Sequence, residues 1–325
     1  MIYDLPRFAR AMRPGRWIDM HNRNERVTRD GRGVRCEWKF GSDLHIAKEF
    51  PSAGVWLMRK AFERWPIAMR GEPASVAAKP DVSFVIGHRG LSRLPHLLTT
   101  LRSIAGQTGV AVECVVVEQS ATSEIASQLP AWVRYVHTPT PHADDEYNRA
   151  WTLNQGAREA RGEVVILHDN DILIPSAYAA ECVSRVAEGF DFVELKRFTF
   201  YLDERETGRV FETGRVPTDV PATVVQNLIG GSIAVRRTSY FDAGGFDEGF
   251  VGWGGEDNEF WERAEVIGKT YRFAYLPFFH LFHQPQRGKV LGASAQAVRR
   301  YHELRNIPPP ERIKRLRASP PAHGS

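Results

Sequence analysis

The chain has 325 residues, 42% of them hydrophobic and 25% charged, which suits one large globular domain with extensions. No stretch reaches the eighteen apolar residues of a membrane span, the N-terminus lacks the apolar core of a secretory leader, and Cys36, Cys114 and Cys182 lie far apart without metal-ligand spacing. The net charge of +4 divides into basic ends, with 16 Lys and Arg against 9 Asp and Glu in 1–80 and 9 against 2 in 286–325, around an acidic middle, which argues against a nucleic-acid reader.

Taken in order, residues 1–80 form a basic N-terminal extension ending in the linker "GEPASVAAKP" (71–80). Inside it, Val55, Trp56, Met58, Ala61, Phe62 and Trp65 make an apolar helical stripe ringed by Arg59, Lys60 and Arg64. Such a stripe lies on a membrane surface or, the reading preferred here, packs on a neighbouring domain.

Residues 81–285 read as the catalytic domain. "VSFVIG" (82–87), "VECVVVE" (112–118), "VRYVH" (133–137) and "EVVILHDND" (163–171) are buried-strand runs. Helical patterns separate them, including "LPHLLTTLRSIAGQ" and "DDEYNRAWTLNQGAREARG" (144–162), the latter with acids expected in its first turn. This alternation predicts an α/β fold, a mostly parallel sheet flanked by helices. Further on, "FDFVELKRFTFYL" predicts one extended strand, "GGSIAVRR" (230–237) a glycine pair entering another, and "DNEFWERAEVIG" (257–268) a helix. Residues 286–325 form a basic, Pro-rich tail whose end is expected to be poorly ordered.

Ligands of such sheets bind where strands exit, which points to Gly87–Arg89, Glu118–Gln119 and Asp169–Asp171. Asp169 and Asp171 follow a buried run, where unpaired carboxylates are costly. A divalent cation with oxygen ligands resolves that cost; a solvated turn is the plainer alternative. "HLFHQP" places His280 and His283 after an apolar strand, and imidazole beside carboxylate suits Mn2+ better than Mg2+. For Arg149 spacing alone favours an exposed helix arginine over a phosphate-binding fork. In "GWGGEDNEFW" (252–261), Glu256, Asp257 and Glu259 stand behind a glycine turn. Glu259 reads as a first-turn acid, Trp261 as a core residue, and Trp253 either as a core residue or as an indole whose flanking glycines leave its face open to a sugar.

The order "YNRAWTLNQGA", "EVVILHDNDILIP", "GGSIAVRR" and "GWGGEDNEFWERAEVIG" resembles the β-1,4-galactosyltransferase family and is similar to bacterial family 2 glycosyltransferases, over roughly residues 82–285. The resemblance implies a GT-A, Rossmann-like fold and a Mn2+- or Mg2+-dependent transferase using a nucleotide sugar, most often UDP-linked. It implies donor contacts from Arg89, Arg149, Tyr147, Glu118, Asp169 and Gly231, and metal ligation by Asp171 and His283, with His280 a third ligand or a bystander. On the acceptor side it implies Glu256 on sugar hydroxyls, Trp253 stacked on the acceptor and Asp257 as catalytic base. At the second strand exit family 2 carries two aspartates, whereas this chain has Glu118 and Gln119.

The expected reaction is inverting hexosyl transfer from a UDP-sugar to a glycan or lipid-linked acceptor. A retaining enzyme like the polypeptide GalNAc-transferases, which share a "WGGE" stretch, and a non-catalytic glycan-binding protein are the alternatives. The expected location is the cytoplasm, with the basic ends suited either to anionic lipids at the inner membrane face or to plain solubility.

Overall fold

The computed structural model describes residues 5–38, 41–75, 78–140, 146–285 and 296–318. The N-terminal region supplies helix α1 (Leu5–Ala11), the hairpin β1 (Val27–Asp30) and β2 (Gly33–Cys36), the short strand β3 (Ser42–Asp43), and helices α2 (His45–Glu49) and α3 (Pro51–Arg64). The domain proper then runs β4 (Val82–His88), α4 (Leu94–Ala105), β5 (Val112–Ser120), β6 (Val133–Pro139), α5 (Arg149–Glu159), β7 (Val164–His168) and β8 (Ile172–Leu173). It continues with α6 (Tyr178–Ala187), β9 (Phe192–Val193), β10 (Lys196–Tyr201), α7 (Glu204–Thr213), β11 (Thr223–Gln226), β12 (Ser232–Arg236) and α8 (Arg237–Asp242). Last come α9 (Glu256–Ile267), β13 (Thr270–Tyr271), β14 (Leu276–His280), α10 (Gln296–Leu304) and α11 (Pro309–Ala318).

The central sheet has the order β13-β9-β12-β7-β4-β5-β6. Strands β7, β4, β5 and β6 are parallel, while β12 runs antiparallel to both β7 and β9. The fold is thus mixed α/β with a mostly parallel sheet, as the strand–helix alternation predicts. Its strands read as unbroken apolar runs because helices cover both faces. Val82, Phe84 and Ile86 meet α4 and α6 residues such as Leu97, Leu101 and Cys182 on one face. Val85, between them, turns to Ala150, Leu153 and Ala157 of α5 and to Phe260 and Trp261 of α9 on the other.

A second sheet, β3-β11-β10-β14-β8, stands beside it. "FDFVELKRFTFYL" is therefore two strands rather than one: β9 belongs to the central sheet and β10 to the second, and the chain crosses between them at Glu194–Leu195. The α3 stripe packs on this second sheet, with Phe62 stacked on Phe279 at 4.3 Å between ring centroids. Met58, Ala61 and Phe62 of the expected stripe are buried there together with Leu57, which the spacing had left out, whereas Val55, Trp56 and Trp65 are only half-buried.

The N-terminal region is built into the domain. Its β3 pairs with β11, and Arg197 of β10 donates to the carbonyls of Ile18, at 2.9 Å, and Met20. Helix α5 starts at Arg149, later than the sequence pattern suggests, because Asn148 is its N-cap and accepts from the Trp151 amide at 2.9 Å. It has no acid in its first turn. The expected first-turn acids 144–145, part of the 71–80 linker, and the end of the tail from 319 lie outside the described residues.

Candidate active site

Strand pairing assembles one side of the site. Asp169 and Asp171 leave β7, and β8 then pairs antiparallel with β14, setting Ile172 opposite His280. The Leu281 amide donates to the Asp171 carbonyl at 2.9 Å. This register brings the buried Asp171 carboxylate to 3.3 Å from His283 Nε2 and 3.8 Å from His280 Nε2. Asp171, His280 and His283 each present a ligand atom within 4.8 Å of the others, a set that could hold a metal ion. One carboxylate with two imidazoles fits Mn2+ better than Mg2+, which prefers oxygen. The His280 ring also stacks on Tyr201 at 4.3 Å.

Arg93 joins this cluster, donating to Asp171 and, at 3.2 Å, to Asn170 Oδ1. Burial pushes the Asp171 carboxyl upward, but His280, Arg93 and His283 outweigh it and hold the group below its ordinary value. His168, directly before Asp169, bonds Ser232 Oγ at 2.8 Å and the Ile172 carbonyl at 3.1 Å, and burial lowers it to about 4, so it is a neutral strut for the loop.

Glycines and a helix start assemble the other side. Gly252, Gly254 and Gly255 have φ of +83°, +111° and +89°, a run of left-handed backbone that only glycine adopts without strain. The turn delivers Glu256 and Asp257 to the first turn of α9, where exposed amides and the helix dipole favour carboxylates. Trp253, in the same turn, is 39% exposed.

Arg149 spans the two sides. Its Nε lies 2.7 Å from Asp169 Oδ1, and its Nη1 lies 3.2 Å from Asp257 Oδ1 and 3.6 Å from Glu256 Oε1. This contradicts the exposed-arginine reading from spacing: its side chain is only 15% exposed. Beside it, Gly230 and Gly231 take φ of +85° and +73°. A Cβ on Gly230 would sit 1.9 Å from Asp257 Oδ2, and one on Gly231 would strike Ile172 Cδ1 at 2.6 Å and lie 3.8 Å from Asp169 Oδ2. The glycine pair thus packs between the two acidic groups. Burial, opposed by Arg149 and aided by Asp171 and Asp257, pushes Asp169 up to about 6. Burial and then Asp257 push Glu256 up to about 7.

Two expected donor residues, Arg89 and Glu118, sit at strand exits, and a third, Tyr147, precedes α5. Arg89 follows β4 and is partly buried. Tyr147 lies beside α5, its hydroxyl 3.1 Å from Thr152 Oγ1. Glu118 is fully buried and accepts from the amides of Glu124 and Ile125 and from the Tyr135 hydroxyl. Its carboxylate therefore pins the loop after β5, while its neighbour Gln119 accepts from the Asn148 amide at 2.7 Å.

Two charged groups escaped the sequence reading. Arg93 shares the β4 exit loop with Arg89, and that position was its one available signal. Lys196 is a buried lysine inside β10 that donates to the Gly230 carbonyl and lies 3.6 Å from Glu194. Burial lowers its pKa against the pull of Glu194, Asp257 and Asp169. Its sequence signal was a cation within the apolar run "FVELKRF". Glu259 also differs from expectation: it is 1% exposed and ion-paired to Arg263 at 2.6 Å and to Arg312 of α11 at 3.0 Å. It ties α9 to the C-terminal helix.

Residues 92–241 match the model of glycosyl transferase family 2, and residues 221–284 match that of the N-terminal domain of galactosyltransferase. The chain carries a glycosyltransferase family 2 domain. The two matches overlap at the Gly230–Gly231 pair and together include Arg149, Asp169, Asp171, Glu256, Asp257, His280 and His283 of the transferase domain.

No curated protein matches the chain. Solved structures similar to it include S. aureus TarS 1–349 in complex with UDP, at 16% identity and a TM-score of 0.44, covering 61% of this chain and 60% of that one. The mannosyltransferase PcManGT from Pyrobaculum calidifontis, in complex with GDP-Man and Mn2+, has 16% identity and a TM-score of 0.43, covering 84% and 82%. GalNAc-T7 with UDP, GalNAc and Mn2+ has 16% identity and a TM-score of 0.49, covering 76% and 52%. The chain thus spans less than two thirds of the length of TarS 1–349 and of GalNAc-T7. Among the described residues, no helix is long and apolar enough to cross a membrane.

Proposed function

We propose that this transferase moves a hexose of the Gal, GalNAc or Glc type from a UDP-sugar to a hydroxyl of a glycan or lipid-linked acceptor, with inversion at the anomeric carbon. The observation that carries the reading is the placement of Asp257 and Asp169 on either side of Gly230–Gly231, with the Asp171–His280–His283 cluster beyond Asp169. Asp257 thus stands apart from the metal-binding set, with the glycine pair and Asp169 between them.

In this reading Asp169 and Arg149 hold the donor sugar and diphosphate, with Arg89 and Tyr147 on the nucleotide and Gly231 letting the backbone approach. Glu118 supports this end indirectly, through the loop it pins. Glu256 bonds sugar hydroxyls, and Trp253 stacks on the acceptor. Asp257 accepts the acceptor hydroxyl proton as that oxygen bonds to the anomeric carbon. The bond from that carbon to the diphosphate oxygen breaks in the same displacement, and UDP leaves with the electron pair. A divalent cation, Mn2+ or Mg2+, on Asp171, His283 and His280 would supply positive charge beside the leaving diphosphate. Buried Lys196 donates to the Gly230 carbonyl and so holds the backbone of the glycine pair in place.

The choice of UDP and of this sugar type rests on the resemblance carried by the sequence motifs. The acceptor is proposed to be presented in the cytoplasm, and the basic terminal segments would suit it if it were lipid-linked. The test is to supply the protein with Mn2+ and a panel of α-linked nucleotide sugars and to read the anomeric configuration of the product by NMR. A β-linked product is expected. An α-linked product would replace this reading with the retaining one.

A further inference from the structure

A groove lies away from the transferase crevice. It encloses about 990 Å3 between α1, the β1–β2 turn, the end of α3 and the segment leading into β14. Tyr275, at its floor, precedes β14, whereas His280 of the metal cluster ends that strand. The two sites therefore sit at opposite ends of one strand, separated by about 16 Å of extended chain.

The lining combines indoles with cations. Trp56 and Trp65 are both half-buried, and the Arg64 guanidinium lies over the Trp65 ring at 5.0 Å. Four basic side chains, Arg13, Arg32, Lys60 and Arg64, face two acids, Glu63 and Glu181. Lys60 pairs with Glu63 at 2.8 Å and Arg32 with Glu181 at 3.3 Å, so both acids are matched. Arg13 and Arg64 have no carboxylate partner among the described residues, and both are exposed.

We infer that this groove binds an anionic glycan, a sugar chain carrying carboxylate or phosphate groups, at a site separate from the one where transfer occurs. Indole faces offer flat apolar surface to the C–H faces of sugar rings, and planar guanidinium groups grip carboxylate or phosphate oxygens in a two-bond fork. Neither feature alone selects this ligand. A lipid tail would leave Arg13 and Arg64 facing no anion, since Lys60 and Arg32 are already matched, and a free anion would make no use of the apolar surface of the half-buried indoles. The inference stands apart from the reading of the crevice, since no groove residue is part of the transfer machinery.

The experiment is calorimetric titration of the full chain with a uronic-acid oligosaccharide, oligogalacturonate, as probe. Matched titrations use a neutral maltooligosaccharide, inorganic phosphate and phosphatidylglycerol vesicles. The uronic oligosaccharide should bind at least about tenfold more tightly than the neutral one or than phosphate. Arg64→Glu and Arg13→Glu, both on exposed side chains, should weaken it by about tenfold or more, and Trp56→Ala should do the same. Binding of UDP with Mn2+ should be unchanged in all three variants, which separates this site from the crevice. Equal binding of the neutral sugar or of phosphate would overturn the inference, as would binding of vesicles in preference to oligosaccharide. Unchanged affinity in Arg64→Glu and Arg13→Glu would overturn it as well, whatever Trp56→Ala does to folding.

Discussion

The two sides of the crevice place their carboxylates by different means. On the donor side, Asp169 and Asp171 stand where β7 ends, and the β8–β14 pairing fixes them against His280 and His283. Hydrogen bonds of a sheet ladder set that geometry, and the side chains can change without moving the backbone. On the acceptor side, Glu256 and Asp257 hang from three left-handed glycines and the start of α9. There the backbone itself is the device, and a single added methyl group is a structural event. A site of this kind should tolerate side-chain truncation on its donor side, with loss confined to ligand binding, and should fail more broadly when its acceptor-side glycines are filled.

The largest expected effect is that of Asp257→Asn, which should lower the turnover number by about 10^2–10^4-fold, the range for loss of a general base. The folded state should survive, which thermal melting would show. Retention of more than a tenth of wild-type turnover would remove Asp257 from the base role.

Next come the two adjacent glycines, which divide the comparison between them. Gly230→Ala drives a methyl group into Asp257, and Gly231→Ala drives one into Ile172 beside Asp169. Both also strain a positive φ, at about 1–3 kcal/mol each. Gly230→Ala should depress turnover with donor affinity largely kept, whereas Gly231→Ala should weaken donor binding. Donor titrations on the pair would read this, and identical profiles would erase the distinction.

A metal-side prediction separates the two histidines. His283 lies closer to Asp171, at 3.3 Å, than does His280, at 3.8 Å, and His280 is also stacked on Tyr201. His283→Ala should reduce Mn2+ affinity more than His280→Ala, as read by Mn2+ titration without donor. The reverse order would make His280 the principal ligand.

The smallest effect concerns Glu256. Its folded-state pKa is raised from 4.5 to about 7, so the native state holds its proton more tightly than the unfolded chain does. The stabilisation this contributes is complete below pH 4.5 and is lost as the pH rises through 7. Glu256→Gln should flatten that part of the stability profile, with its largest gain relative to wild type above pH 7. Urea denaturation across the window measures it, and parallel profiles for the two proteins would refute the assignment.

The sequence made the donor side easy to read, since acids ending a buried apolar run have few bland explanations. Asp169, Asp171, His280 and His283 were all visible in that way, although only the β8–β14 register explains why residues more than a hundred positions apart meet. Spacing alone misread Arg149, which the resemblance had placed in the site, because helical spacing gives its face but not the three carboxylates that converge on it from two other segments. Lys196 and Arg93 were missed for the same reason, as each is defined by its partners in space. Glu259 shows the converse: a helix-start acid that looks like dipole complementation turns out to be the anchor of Arg263 and Arg312. The break between β9 and β10 was hidden because both halves are buried without alternation, including Glu194, Lys196 and Arg197 at the crossing, so periodicity does not mark where the chain changes sheets.

The division of labour between the two sides is tested most directly by calorimetric titration of UDP, with and without Mn2+, into wild type, Asp171→Ala and Asp257→Asn. Asp171→Ala should lose the Mn2+-dependent part of UDP affinity, and Asp257→Asn should keep it within about threefold, close to the error of such comparisons. An equal loss in both variants would contradict the account.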